Sequence, residues 1–211
     1  MIRLAHGWRM SAGVEISRVL IREFIRPAIR AIPPAMAHQL GDCRVYLVPE
    51  LGGPRLASRW VATGKGVEIT VATKGRDPHD IALELLICFG QALWENLTPE
   101  QAKVYWLLLD AELRDNIRGE IDEEAVREKR ALLASAISAA SRRRLKRYGR
   151  ASFAATAAEY VHCLWHDVHV IRGPEHLPPF EVRRRLDLLA RWFPPDREHP
   201  LYPKAGESLA G

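Results

Sequence analysis

The stretch ELLICFGQALW, residues 84–94, decides what kind of fold this sequence can form. Its apolar residues recur at steps of three and four, which places them on one face of a helix. Further apolar residues outside this face leave few positions for polar side chains. A helix that is apolar on nearly all sides belongs in the interior of a protein. Gly90 destabilises a helix interior by about 1 kcal/mol relative to alanine, so we expect another backbone or a bulky ring to pack closely against it.

Length and composition indicate a single globular domain spanning residues 1–211. The sequence is 47% hydrophobic and 27% charged, values typical of a folded domain rather than of a disordered segment. Its formal charge of +5 is a mild basic excess, which favours a solvated surface over a dedicated acidic partner. Three cysteines outside any CxxC pair indicate buried, reduced thiols and a cytoplasmic protein. Neither a secretory signal nor a membrane span is predicted.

A basic amphipathic helix is predicted near the N-terminus, over about residues 11–32. Apolar residues follow one of its sides, and arginines step by four along the other. These arginines are Arg18, Arg22, Arg26 and Arg30. Pro27 lacks an amide donor and should kink or split the helix, and the proline pair at 33–34 should end it. We interpret the helix as docked on the protein body; the alternative is an arm for phosphates or anionic lipid.

The middle of the chain is rich in strand-forming residues. Strands are predicted at 44–48, 58–62 and 66–71, and the glycine-rich join 63–66 indicates a hairpin between the last two. Helical patterns follow at about 79–97, 99–115, 122–148, 152–171 and 180–192. The proline-rich tail from about 194 to 211 is predicted to be loose.

The order of these elements, a strand, a hairpin and then an apolar helix followed by further helices, resembles the zincin metallopeptidase fold. In that family the helix after the edge strand carries the zinc-binding motif H-E-x-x-H. The stretch ICFGQALW matches family sequences of the type HELGHALW at Gly90, Ala92, Leu93 and Trp94. The resemblance covers about residues 44–165, and it implies an edge strand that borders a substrate cleft.

The same resemblance places unsuitable residues at the catalytic positions. Ile87 replaces the first zinc-binding histidine, Cys88 the water-activating glutamate, and Gln91 the second histidine. A hydrocarbon has no lone pair, a buried thiol is a poor general base, and a neutral amide is a weak zinc ligand. Glu159 stands where the family's third ligand would come, but it would not hold zinc alone. The resemblance therefore implies a degenerate relative without a catalytic site and with no zinc or other cofactor expected.

A second set of candidate metal ligands lies in EYVHCLWHDVH, residues 159–169. His162 and His166 are four residues apart and share a helix face, and Glu159 precedes them on the same side. Because Glu159 and His166 lie about 10 Å apart along a helix axis, another element would have to contribute a ligand. The candidates for it are His79, Asp80 and Glu84. The interpretation we favour is that both imidazoles pack in the protein and bond to backbone, water or carboxylates.

The most basic segment is SRRRLKRYGR, residues 141–150, with Tyr148 as a ring that could stack on a base. Positive charge at a helix end is expected from the helix dipole without any ligand. Nucleic-acid binding through Arg142, Arg143 and Arg144 is the less favoured alternative. The sequence contains neither a nucleotide-binding glycine loop nor the nucleophile elbow of serine hydrolases.

The sequence therefore predicts an α+β fold in which a small antiparallel or mixed sheet packs on a mainly helical body, zincin-like in layout. The expected function is that of a non-catalytic pseudo-peptidase that binds a peptide or a protein. An exposed edge strand, SRWVAT or VEITVA, would accept the peptide by strand addition. Two alternatives remain open: a metal-dependent hydrolase built around Glu159, His162 and His166, and a nucleic-acid-binding protein.

Overall fold

The computed structural model describes residues 1–13, 16–52, 56–134, 139–165 and 175–196. The strands of this described part are β1 (Ile2–Arg3), β2 (Arg9–Ala12), β3 (Asp42–Val48), β4 (Ser58–Thr63) and β5 (Gly66–Ala72). They form one sheet in the order β1-β2-β3-β5-β4. The inner pairs β2–β3 and β3–β5 are parallel and the outer pairs are antiparallel, so the sheet is mixed.

Helices make up the rest of the described chain. A π-helical segment (Leu20–Ile25) leads into α1 (Arg26–Ala31), and α2 (Pro34–Leu40) precedes β3. After the sheet come α3 (Pro78–Trp94), α4 (Pro99–Arg114), α5 (Glu123–Leu133), α6 (Ala139–Cys163) and α7 (Pro179–Trp192). The predicted α+β class is confirmed.

One face of the sheet is covered and the other is open. In β5, Val67, Ile69 and Val71 are buried, whereas Glu68 and Thr70 between them stay partly exposed. Because successive side chains of a strand point to opposite faces, the valines and the isoleucine face the helices. The predicted hairpin is confirmed, since β4 and β5 pair in antiparallel register as far as Thr63 and Gly66.

Helix α3 lies in the middle of the molecule, in contact with β4 and β5 on one side and with α6 on the other. A Cβ atom placed on Gly90 would lie 2.7 Å from the carbonyl oxygen of Ala154 and 2.8 Å from its Cα. The expected close neighbour of Gly90 is therefore present, and it is the backbone of α6. Glycine is required here because no side chain fits between the two helices.

The N-terminal helix starts later than predicted. Arg9–Ala12 forms β2 and pairs in parallel with β3, and its buried Met10 alternates with exposed Arg9 and Ser11 as in a strand. The chain stays helical through Pro27, so the predicted split is absent: the π-helical segment runs directly into α1, the Arg26 amide donates five residues back, to the Ile21 carbonyl, and Pro27 lies in the first turn of α1. The helix also ends before the proline pair, as predicted.

The helix boundary predicted near residue 150 is wrong. Helix α6 runs from Ala139 to Cys163 without a break at Gly149. A Cβ atom on Gly149 would lie 2.3 Å from the ring of Trp106 in α4, so this glycine makes room for an indole instead of ending a helix. The end of α5 at Leu133 marks the division of the predicted helix 122–148.

All three cysteines are buried and free of disulfide bonds, which confirms the predicted thiols. Within the described ranges, no helix combines the length and apolarity needed to cross a membrane. The predicted tail from 194 is described only as far as residue 196.

Candidate functional site: the open edge beside the central helix

Strand β4 forms an edge of the sheet, with β5 as its neighbour. The Ala72 amide donates to the Ala57 carbonyl over 2.8 Å, directly before β4. Since residues bonded to the partner alternate along an antiparallel ladder, the backbone groups of Ser58, Trp60 and Ala62 point to the open edge. In the described part of the chain these three amides have no backbone hydrogen-bond partner. Of the two edge strands considered, SRWVAT is confirmed and VEITVA, which is β5, lies inside the sheet.

Ser58 connects this edge to α3. Its Oγ donates to Glu84 Oε2 over 2.9 Å. One turn further along α3, burial raises the pKa of the Cys88 thiol to about 12; the Ser58 hydroxyl opposes the shift, and the charges of Glu84 and Glu124 add to it. Such a thiol stays protonated at neutral pH, so it is neither a base nor a ready metal ligand.

The next turn of α3 faces the start of α5. Gln91 Nε2 donates to Glu124 Oε2 over 3.3 Å. Asp122 caps α5 by accepting the Ala125 amide over 2.7 Å. Burial raises the pKa of Asp122 to about 6 against the effect of that hydrogen bond, and the neighbouring carboxylates, Glu124 first, raise it further. Carboxylates therefore predominate where α3 and α5 meet.

The three residues that the resemblance places at the zinc-motif positions differ in their surroundings. Ile87 is partly buried against the core, Cys88 is buried, and Gln91 is half-buried with its amide on Glu124. Among the described residues, no three or more His, Cys, Asp or Glu side chains are arranged to hold a metal ion. Where a zincin helix would present ligands, α3 presents a hydrocarbon, a thiol and an amide.

The candidate ligands at the end of α6 are described in part, because His166 lies outside the described residues. His162 Nδ1 is 3.6 Å from Glu159 Oε2, so these two predicted residues are together. His162 Nε2 is 3.0 Å from the Nε2 atom of His79, in the first turn of α3. Of the second-element candidates, the structure thus brings His79 to His162, whereas Glu84 is bonded to Ser58 on β4.

Arginine-rich helices line two surface grooves. The first, of about 630 Å³, runs along α6, and its lining residues are Glu95, Arg143, Arg144, Lys146, Arg147 and Arg150. The second, of about 690 Å³, combines arginines of the N-terminal helix with an apolar floor. Its lining includes Arg22, Arg26, Arg30, Ile32, Leu164 and Trp165. Both grooves bring cations together as an anionic ligand would require.

A buried ion network, formed by Arg185, Glu112, Glu120 and Lys129, was missed by the sequence reasoning. Arg185 is fully buried; its guanidinium donates to Glu112 Oε1 over 3.1 Å and to Glu120 Oε2 over 2.7 Å. Lys129 Nζ lies 3.4 Å from Glu120 Oε1, so two cations balance two carboxylates. Burial alone would raise the pKa of Glu120, but Arg185 and Lys129 hold it below its ordinary value.

One signal for this network was present in the sequence. Arg185 lies three residues after Val182 and four before Leu189, on the buried stripe of α7. A charged residue at such a position requires a buried partner. The network lies among α4 to α7, and its groups are engaged with one another, so we assign it to stability.

Comparisons with protein-family models, with curated proteins and with solved structures return no match to this chain. The zincin-like resemblance accordingly stays a prediction.

Proposed function

We propose that this protein is a non-catalytic, zincin-like binding protein that takes up an extended peptide by strand addition to β4. The observation that carries the proposal is the open edge itself: the backbone groups of Ser58, Trp60 and Ala62 point outward beside α3. An edge strand with unused backbone donors and acceptors is a template for one more strand. Pairing of this kind needs no metal ion.

The side chains around the edge favour a basic peptide. Residues opposite each other in an antiparallel pair share a face of the sheet, so alternate side chains of an added strand lie on the same face as Ser58, which bonds Glu84 of α3. Glu84 and, further along, Glu124 each accept one hydrogen bond from a neighbour, and a carboxylate has capacity for several. Lysine or arginine on this face of the peptide would meet negative charge.

The residues at the motif positions support binding without hydrolysis. Hydrolysis on a zincin frame depends on a base that activates water next to a bound cation. Cys88, with its pKa raised to about 12, stays protonated, and Ile87 has no donor atom. Gln91 directs its amide at Glu124, which ties α3 to α5. A peptide held at β4 would therefore stay intact.

The proposal is tested by titrating the full chain with the acetylated, amidated peptide KTKTKTK and following backbone amides by NMR. We expect shifts and slowed hydrogen exchange at Ser58, Trp60 and Ala62, which face the edge. Two further peptides separate the contributions: ETETETE reverses the charge, and KTKTKTK with every backbone amide N-methylated has no donor left to pair with β4. Binding that is equal for the N-methylated peptide, or shifts elsewhere only, would exclude strand addition.

A pair of variants at Ala62 provides the matched control. Ala62→Pro removes one outward amide while leaving the bonds to β5 in place, and proline is tolerated on an edge strand where the amide faces solvent. Ala62→Val keeps that amide. We expect at least tenfold weaker peptide binding for the proline variant and little change for the valine variant. Equal binding by both would contradict pairing at this edge.

A second candidate function is binding of a polyanion such as RNA, favoured by the groove along α6, which gathers five basic residues around Glu95. Replacing Arg143, Lys146 and Arg150 by glutamine should weaken binding of an RNA oligonucleotide and lower the slope of affinity against salt by about three. The control with the same charge change is Arg22, Arg26 and Arg30 to glutamine. Equal losses in both triple variants would indicate only nonspecific attraction.

A further inference from the structure

We infer that His79 and His162 form a binding site for a divalent transition-metal ion that takes nitrogen ligands in cis positions, such as Cu²⁺ or Ni²⁺. The inference is independent of peptide binding at β4. The two Nε2 atoms are 3.0 Å apart, and the two imidazole rings meet edge to face with centroids 4.9 Å apart. With metal–nitrogen bonds of about 2.0–2.1 Å, this separation corresponds to an angle of about 90° at the ion. That angle suits tetragonal Cu²⁺ or Ni²⁺ better than tetrahedral Zn²⁺.

Glu159 positions His162 for this role. Its Oε2 atom lies 3.6 Å from His162 Nδ1, so the negative charge favours a proton on Nδ1 and leaves the lone pair on Nε2. A carboxylate behind a ligating histidine is a common arrangement, and it raises the basicity of the ligand. Glu159 thus takes the part of a positioning residue, whereas the sequence had suggested it as a ligand.

Packing fixes the second imidazole. The ring of His79 stacks on the indole of Trp165, with centroids 6.0 Å apart and planes inclined by 26°. Trp165 also contacts the ring of His162, at 5.9 Å between centroids. Both histidines are only partly exposed, so their rings are held before any ion arrives. A preorganised pair loses little side-chain entropy on binding.

The helix ends around the pair are compatible with a cation. His162 lies in the last turn of α6, where the carbonyl ends of the helix favour positive charge. His79 lies in the first turn of α3, which is less favourable, but Asp77 and Asp80 add negative charge to that turn. When the ion binds, each Nε2 atom supplies its lone pair to the ion, and the proton of the hydrogen bond between them moves to solvent or to the Nδ1 atom of the same ring. Water completes the coordination shell.

The test is Cu²⁺ binding to the untagged full chain, followed by calorimetry and by electron paramagnetic resonance. We expect one ion per chain with hyperfine coupling from two imidazole nitrogens. His79→Phe keeps a ring against Trp165, and His162→Gln keeps a polar side chain; each should weaken binding at least tenfold. His38→Gln, at an exposed histidine of α2, is the control and should leave the affinity unchanged.

The outcomes are distinct. Unchanged affinity in both His79→Phe and His162→Gln, or a spectrum with a single nitrogen ligand, would overturn the site, as would the absence of stoichiometric binding by the parent chain. Glu159→Gln should weaken binding by about 10–100-fold, and no effect would remove Glu159 from the site. Circular dichroism of each variant shows whether a loss of binding comes from a loss of fold.

Discussion

Gly90 determines how closely α3 and α6 approach each other. Gly90→Ala would favour the helix by about 1 kcal/mol, but its methyl group would meet the backbone of Ala154 at 2.7 Å. We expect a net loss of about 1–3 kcal/mol in the free energy of unfolding, measured by urea denaturation. Gly64→Ala is the control, since a Cβ atom there meets nothing within 4 Å. A Gly90→Ala chain as stable as its parent would show that the helices separate at little cost.

For single residues, the sequence predicted that a close or oppositely charged neighbour is required, but it did not identify that neighbour. Because glycine destabilises a helix, a close neighbour of Gly90 was expected. No sequence pattern near Gly90 indicated that this neighbour is α6. Arg185 illustrates the same limit, because Glu112 and Glu120 lie 73 and 65 residues away in the chain. The sequence offered His79, Asp80 and Glu84 as possible neighbours of the histidines in α6. The antiparallel packing of α3 on α6 is what brings His79 to His162.

Helix α5 is capped by Asp122. Its side chain stabilises the helix by accepting a hydrogen bond, but its buried negative charge destabilises the folded chain. Burial raises the pKa of Asp122 from 3.8 to about 6. As the pH falls, Asp122 therefore takes up its proton at a higher pH in the folded chain than in the unfolded chain. The free energy of unfolding should therefore rise as the pH falls from about 6 to 4, and this contribution is lost above pH 6. Asp122→Asn keeps the cap and removes the charge.

We expect Asp122→Asn to be more stable than the parent by about 1–2 kcal/mol at pH 7 and equally stable near pH 4. Chemical denaturation at the two pH values measures this difference. Asp77→Asn, at the exposed cap of α3, reports the effect of the same exchange without burial. A gain at Asp122 that does not depend on pH would contradict the assignment to its charge.

Elements with a clear local pattern were predictable, and elements defined by distant contacts were not. Strands β3, β4 and β5 follow their alternating residues and their glycine-rich turn, and the predicted bounds agree with theirs within two residues. Strands β1 and β2 are short and carry arginines, so their sequences show no clear strand pattern. They are strands because they pair with each other and with β3. Helix α6 continues through Gly149, whose missing side chain leaves room for an indole from α4.

On the scale of the whole molecule, Arg185 connects the last helix to the rest of the helical body. Arg185→Met would leave the carboxylates of Glu112 and Glu120 buried without this cation, and we expect a loss of about 3–5 kcal/mol in the free energy of unfolding. Thermal and urea denaturation measure it. Arg183→Met on the exposed side of the same helix should stay within about 0.5 kcal/mol of the parent. Equal effects of the two substitutions would show that the network contributes nothing.

The position of Arg185 in the chain has a consequence during protein synthesis. The carboxylates of Glu112 and Glu120 leave the ribosome 73 and 65 residues before Arg185, and until the arginine follows, Lys129 is the one cation of the network that is present. The interior among α4 to α7 can therefore close fully only after α7 has been synthesised. A chain that stopped before Arg185 would leave Glu112 without its cation and Glu120 with Lys129 alone, so its later helices would stay accessible to cellular proteases.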